Sequence, residues 1–179
     1  AVDGELSFVA SGKGSAKWVR GEYGTGKTFA TRFLCAHARS RGFATSEVQI
    51  SINDTPLHKL ETVYRRLIER LETAADGAGA FGSIIDGWLY QVGEEVTRLR
   101  GIGEDDPAFA DATEERLEDL LAGLSRRNPA YAQVLRAYHR ASFEGDFATA
   151  QGLLAWLAGQ PFTDRSVMKL AGIKGKVDG

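Results

Sequence analysis

Residues 21–28 run Gly21-Glu22-Tyr23-Gly24-Thr25-Gly26-Lys27-Thr28, and no other stretch constrains the chain as tightly. Two glycines with four residues between them, followed by Lys-Thr, describe a loop that curls and then feeds a helix. Gly21, Gly24 and Gly26 carry no side-chain bulk, so the backbone can turn several N–H groups inward. The helix that follows adds the positive end of its dipole, equivalent to roughly half a charge. Lys27 supplies a full positive charge, and Thr28 supplies a hydroxyl oxygen of the kind Mg²⁺ coordinates. A polyphosphate tail is the ligand that matches, with Lys27 at the β- and γ-phosphates and Thr28 at the metal. The nucleotide-binding set is therefore Gly21, Glu22, Tyr23, Gly24, Thr25, Gly26, Lys27, Thr28 and Phe29. Tyr23 reads equally as a base-stacking or a packing residue.

Such a loop belongs between a strand and a helix, and the flanks agree. Residues 16–20 (Ala-Lys-Trp-Val-Arg) are short and β-favouring and run into glycine, which predicts a strand. Phe29, Phe33 and Ala36 share one helical face, widened by Leu34 and Ala38, with Arg39, Arg41 and Gly42 as the stop. Val48, Ile50 and Ile52 alternate within residues 46–52 and predict a second strand. Residues 4–15 read as a short helix or turn followed by a Gly/Ser-rich loop.

Beyond residue 54 the pattern is helical. Thr55-Pro56 predicts a helix start, followed by an apolar stripe of Leu57, Leu60, Tyr64, Leu67, Ile68 and Leu71. Residues 73–80 read as a flexible joint. Ile85, Trp88, Leu89, Val92, Val96 and Leu99 predict a helix ended by Gly101. Asp111-Ala112-Thr113-Glu114 resembles a capping box opening another. Asn128-Pro129 opens the next, and Gly145-Asp146 precedes the last, which Gly159 stops. Residues 161–179 read as a short helix at most and then a Gly/Lys-rich loop. The expected fold class is α/β: an incomplete P-loop nucleotide-binding core with two strands and a large helical insertion. Residues 1–72 form the core part, 81–160 the insertion, and 161–179 a linker back towards the core.

Hydrophobic residues make up 43% of the 179 and charged residues 26%, so a packed core is expected. The formal charge is −2, but it is unevenly spread. Residues 1–70 hold 11 Lys/Arg and 7 Asp/Glu, whereas residues 71–179 hold 11 and 17. The positive part contains the loop, as a polyphosphate requires, and the acidic part repels a nucleic-acid backbone. A nucleic-acid partner is thus not supported. Cys35 stands alone, which excludes an intrachain disulfide and suits a reducing compartment. No apolar run approaches the roughly 20 residues of a membrane span, and residues 1–5 have no secretory character. A cytoplasmic location is expected.

A complete ATPase also needs an acid at the end of a buried strand for Mg²⁺. Residues 81–86 (Phe-Gly-Ser-Ile-Ile-Asp) are the closest approximation. Asp86 there reads as a metal ligand or, more simply, as a helix-start residue, so the acid is expected outside this chain. Lys13 could approach phosphate but suits a solvated loop. Asn53 and Asp54 sit where open α/β sheets place ligands, although Asp54 serves as readily as a helix cap. His37, His58 and His139 have no metal-ligand spacing, and Cys35 reads as a core residue. Arg126, Arg127, Arg136 and Arg140 form either a basic patch or solvated helix surface.

From Trp18 to about Arg66 the chain resembles the P-loop domain of bacterial ATP-binding proteins of BREX phage-exclusion systems. The likeness rests on residues 19–29 (Val-Arg-Gly-Glu-Tyr-Gly-Thr-Gly-Lys-Thr-Phe), with Gly42-Phe43 and residues 55–61 (Thr-Pro-Leu-His-Lys-Leu-Glu) in support. It implies an AAA-like ATPase with ATP and Mg²⁺ at residues 21–28, acting in a homo-oligomer or a larger defence complex. In that branch the strand bearing the Mg²⁺ acid lies between the two strands expected here and follows later in sequence. The leading expectation is therefore an ATP-binding part of a larger ATPase. A small nucleotide-dependent kinase is the second reading, although no substrate-binding acid and basic lid stand out. A helical interaction module with an inactive loop is the third.

Overall fold

Helices account for most of the chain in the computed structural model, which describes residues 2–161 together with Lys169 and Gly172. The order is α1 (Val2–Ala10), α2 (Lys27–Ser40), β1 (Thr45–Ser46), α3 (Leu60–Glu69), β2 (Leu71–Glu72), α4 (Phe81–Arg100), α5 (Phe109–Arg127), α6 (Pro129–Phe143) and α7 (Phe147–Leu157). Strands β1 and β2 pair antiparallel, Thr45 opposite Glu72 and Ser46 opposite Leu71. The chain is α/β in this limited sense. The expected linker beyond residue 161 lies outside the described residues.

The core sits in α4–α7, where each helix packs on the next. Leu117 and Leu121 of α5, Val134, Leu135 and Tyr138 of α6, and Leu153 and Leu157 of α7 form its centre. Phe81, Ile85 and Trp88 of α4 lie against it. Burying a side chain of this size contributes about 1.5–3 kcal/mol. A smaller cluster joins Val96 to Phe109 and Ala112.

Local signals set the helix ends. The Asn128 side chain accepts from the Tyr131 N–H at 3.1 Å, and Pro129 fills the first helical position, where no N–H is needed. Asp146 accepts from the Thr149 N–H at 3.1 Å. Gly101 closes α4 in the left-handed region, at φ 69°. Helix α3 ties to the bundle through Tyr64, whose hydroxyl donates to the Leu157 carbonyl at 2.6 Å.

Five expectations give way. Residues 16–20 form no strand, and Trp18 and Val19 are 97% and 76% exposed. A β-favouring segment becomes a strand only against a partner that takes its N–H and C=O groups, and none lies beside it among the described residues. The second strand shrinks to Thr45–Ser46 for the same reason: its neighbour among the described residues, β2, is two residues long. Past it, a bridge between Ser51 and Thr55 closes a turn with Ile52 at its tip, 91% exposed. That bridge holds Thr55 extended, so α3 starts at Leu60 and not at Pro56. Residues 73–80 are not a loose joint. The Thr73 N–H bonds to the Asp76 carbonyl at 2.9 Å, and Ala80, 2% exposed, donates to the Leu71 carbonyl at 3.0 Å. Finally, α5 begins at Phe109, ahead of the expected capping box. Asp106, not Asp111, accepts there, from the Ala108 N–H at 2.8 Å.

One consequence reaches the candidate site. Among the described residues only Thr55 and Pro56 are buried ahead of Ala80. Helix α2 presents Phe29, Phe33 and Leu34 to solvent, at 76%, 59% and 41% exposure.

Candidate functional site

The loop at 21–28 turns on two glycines. Gly24 and Gly26 take φ of 81° and 85°, values that L side chains disfavour. Gly26 stands at the N-terminal boundary of α2. A Cβ on Gly21 would come 2.8 Å from Thr25 Oγ1, so a side chain there requires Thr25 to shift.

The carbonyl of Glu22 is the hub. It accepts from the Thr25 N–H at 3.3 Å, from Thr25 Oγ1 at 2.8 Å and from Lys27 Nζ at 2.6 Å. Lys27 Nζ also donates to the Gly21 carbonyl at 2.7 Å. The ammonium is thereby folded over the mouth of the loop, and Lys27 is the one half-buried residue between 21 and 30. The first helical acceptor is Gly26, whose carbonyl takes the Ala30 N–H at 2.9 Å. The N–H groups of Lys27, Thr28 and Phe29 are the first-turn donors that an α-helix leaves without an internal partner. Thr28 is exposed on that turn, Tyr23 is fully exposed, and Phe29 points its ring to solvent.

The remaining candidates do not converge on the loop. Lys13 Nζ lies 5.3 Å from the centroid of the Phe8 ring on an exposed turn. Asn53 and Asp54 belong to the Ser51–Thr55 turn, where the Asp54 N–H donates to Ser51 Oγ at 3.0 Å. Asp54 therefore caps no helix. Asp86 is neither at a helix start nor at a strand end. It lies in the second turn of α4 and accepts from the Tyr138 hydroxyl at 2.6 Å. His37 bonds to Asp3 at 2.8 Å, which together with Arg41 holds that carboxyl below its usual range. His58 is exposed. His139 is half-buried, and burial pushes its imidazole below the ordinary value. Arg136 pairs with Glu118 and Arg140 with Glu114, so these two belong to ion-paired helix surface. Among the described residues there is no group of three or more His, Cys, Asp or Glu able to hold a metal, and no helix is long and apolar enough to cross a membrane.

Sequence reasoning missed a second feature of α2. A cavity of about 510 Å³ opens along its later turns, lined by Arg32, Cys35, Arg39, Thr45, Arg70 and Glu72 among others. Cys35 is thus a half-buried cavity residue and not part of the core. Arg39 is engaged by Glu72 and Thr45, both at 2.8 Å, whereas Arg32 and Arg70 form no ion pair among the described residues. The arginines are 38 positions apart at the extremes and follow no motif, so only the fold gathers them.

A family model described as "BREX system ATP-binding protein BrxC/D" matches residues 1–179. No curated protein and no solved structure matches the chain.

Proposed function

The chain belongs to the BREX system ATP-binding protein family, and from that premise we propose that residues 21–28 hold the triphosphate of ATP for a larger phage-defence ATPase. One observation carries the reading: the Lys27 ammonium rests on the Gly21 and Glu22 carbonyls at 2.7 and 2.6 Å, beside first-turn N–H groups that have no helical acceptor. Phosphate oxygens are anionic and compete well against neutral carbonyls, since charge-assisted bonds are roughly twice as strong as neutral ones. Lys27 then exchanges its carbonyl partners for the β- and γ-phosphates. Gly24 and Gly26 keep the backbone clear of the ligand, and the α2 dipole adds to the attraction.

Bound ATP with Mg²⁺ supplies the phosphoryl chemistry; the described residues bind and orient. Thr28 offers its hydroxyl to the metal, and we assign the completing carboxylate to another part of the ATPase. Tyr23, fully exposed within the loop, would be free to cover the nucleotide.

A helical interaction module with an inactive loop is favoured by one fact, that the buried core begins at Ala80. Titration of ATP, with and without Mg²⁺, into the parent and Lys27→Ala decides between them. The expected result is binding by the parent, strengthened by Mg²⁺, and about tenfold or more weaker binding by the variant, a loss of at least ~1.4 kcal/mol. Because Lys27 bonds only to exposed loop carbonyls, the variant melts close to the parent. Equal affinity of the two proteins overturns the reading, and a parent that binds no nucleotide favours the module.

A further inference from the structure

Helix α2 carries the loop at its N-terminus but has no buried residue of its own. No buried apolar side chain therefore fixes how the helix is rolled about its axis. Its roll matters, because an α-helix turns about 100° per residue, which puts positions 28, 32, 35 and 39 on one face. Thr28 and Arg39 stand roughly 16 Å apart along the axis, yet within about 20° of each other around it. Whatever fixes the direction of Arg39 also fixes the direction in which Thr28 faces.

That face is turned to the β1–β2 pair. The cavity of about 510 Å³ lies between them, with Arg32, Cys35 and Arg39 on the helix side and Thr45 and Glu72 on the strand side. Arg39 spans the gap. Its Nη1 donates to Thr45 Oγ1 of β1 and to Glu72 Oε2 of β2, both at 2.8 Å. Among the described residues no other side-chain bond joins α2 to the strands. One rigid planar group bonded to both strands sets a direction as well as a distance. The strand side is anchored in turn, since the Leu71 carbonyl, next to Glu72, accepts from the Ala80 N–H at 3.0 Å, where α4 begins. The other tie of α2 is weaker. There Asp3 meets His37 at 2.8 Å and Arg41 at 3.1 Å, but the Asp3 side chain is 58% exposed against 25% for Arg39, so water screens it more.

We propose that Arg39 is a positioning residue for the loop at residues 21–28, fixing the roll of α2 on β1 and β2 and so the direction of the Thr28 hydroxyl. The inference rests on the ATP reading of that loop and adds a division of labour to it. Lys27 is a point charge on a flexible stem and follows a phosphate as the helix rolls. Mg²⁺ demands near-ideal octahedral geometry of its oxygen ligands, and Thr28 cannot follow. The metal-dependent part of ATP binding is thus the part that Arg39 controls.

The test is titration of ATP into the full chain, with and without Mg²⁺, together with amide hydrogen exchange. Parent, Arg39→Met, Glu72→Gln, the double variant and Arg32→Met are compared. In Arg39→Met the strengthening of ATP binding by Mg²⁺ should fall about fivefold, as the loss of an ordinary hydrogen bond predicts. Affinity without Mg²⁺ should stay within about twofold of the parent. Residues 30–40 should exchange roughly tenfold faster while residues 117–157 exchange as in the parent, which shows the bundle still folded. Glu72→Gln should move both readouts the same way by less, and the double variant should be no worse than Arg39→Met, because both remove one interaction. Arg32→Met removes a guanidinium from the same face but no ion pair, and should match the parent. Equal losses with and without Mg²⁺, unchanged exchange of α2 in Arg39→Met, additive effects in the double variant, or an equal effect of Arg32→Met overturns the positioning role while ATP binding by the parent stands. A parent that binds no ATP overturns the ATP reading, and the positioning role with it.

Discussion

Tyr138 of α6 donates a 2.6 Å hydrogen bond to Oδ1 of Asp86 of α4, joining two helices across 52 residues of sequence. Tyr138 is 5% exposed, so this bond is made at the edge of the core. Burial first, and then the Asp86 carboxylate, push the phenol up to about 12. Asp86 thus acts as a structural acceptor. Tyr138→Phe is expected to cost about 1.5–3 kcal/mol, the range for a hydrogen bond to a charged group. Urea denaturation of the two proteins measures it. Asp86→Asn keeps an acceptor for Tyr138, and it should leave the Mg²⁺ dependence of ATP binding unchanged.

Several helix boundaries set by short-range devices were legible, although the Asp106 turn ahead of α5 was not. Asn128, Asp146, Gly101 and Gly159 do what their residue types and neighbours indicate. The glycine positions of the loop were legible for the same reason, since Gly24 and Gly26 must take positive φ for the chain to curl. Strands were not, because a strand is defined by its neighbour, and alternation at Val48, Ile50 and Ile52 says nothing of whether one is present. Nor could spacing reveal that Glu22 lends its carbonyl to both Thr25 and Lys27, that Asp86 meets Tyr138, or that Thr113 lacks a partner. The first depends on the backbone path of the loop, which residue type alone does not fix, and the other two on tertiary placement, which local pattern does not encode.

Gly21 should be intolerant of even one methyl group. Alanine there puts Cβ 2.8 Å from Thr25 Oγ1, so Thr25 must rotate off the Glu22 carbonyl it now reaches at 2.8 Å. The loop is exposed, so global stability changes by no more than about 1 kcal/mol, the worth of one ordinary hydrogen bond. Nucleotide affinity should fall several-fold in Gly21→Ala. Gly24→Ala, forced to φ near 81°, should lose affinity as well, at a backbone cost of about 1–2 kcal/mol. Titration of ATP alongside thermal melts separates the two effects.

His139 makes stability depend on pH. Burial, aided by Arg140 and opposed by Glu114, lowers its folded-state value below the ordinary 6.5. The folded protein therefore favours the neutral ring. That contribution is complete above pH 6.5 and is lost as pH falls through the folded value, because the unfolded chain takes up the proton first. Comparison with His139→Gln isolates it from the carboxylates. The stability difference between parent and variant should be flat above about pH 6.5 and move against the parent below it. A constant difference from pH 8 to pH 5 would remove His139 from the account.

The location of the core is open to a paired measurement. Leu153 is fully buried among α5, α6 and α7, so Leu153→Ala removes apolar contact and leaves a cavity, at about 2–5 kcal/mol. Phe33 is a larger side chain on α2, yet it is 59% exposed and stacks only on His37, with ring centroids 6.3 Å apart. Phe33→Ala should therefore stay within about 0.5 kcal/mol of the parent, as exposed substitutions do. Denaturation midpoints at unchanged slope give both numbers. A loss of 2 kcal/mol or more in Phe33→Ala would mean that the apolar face of α2 is covered in solution, and the loop at residues 21–28 would then stand on a packed layer instead of an exposed helix.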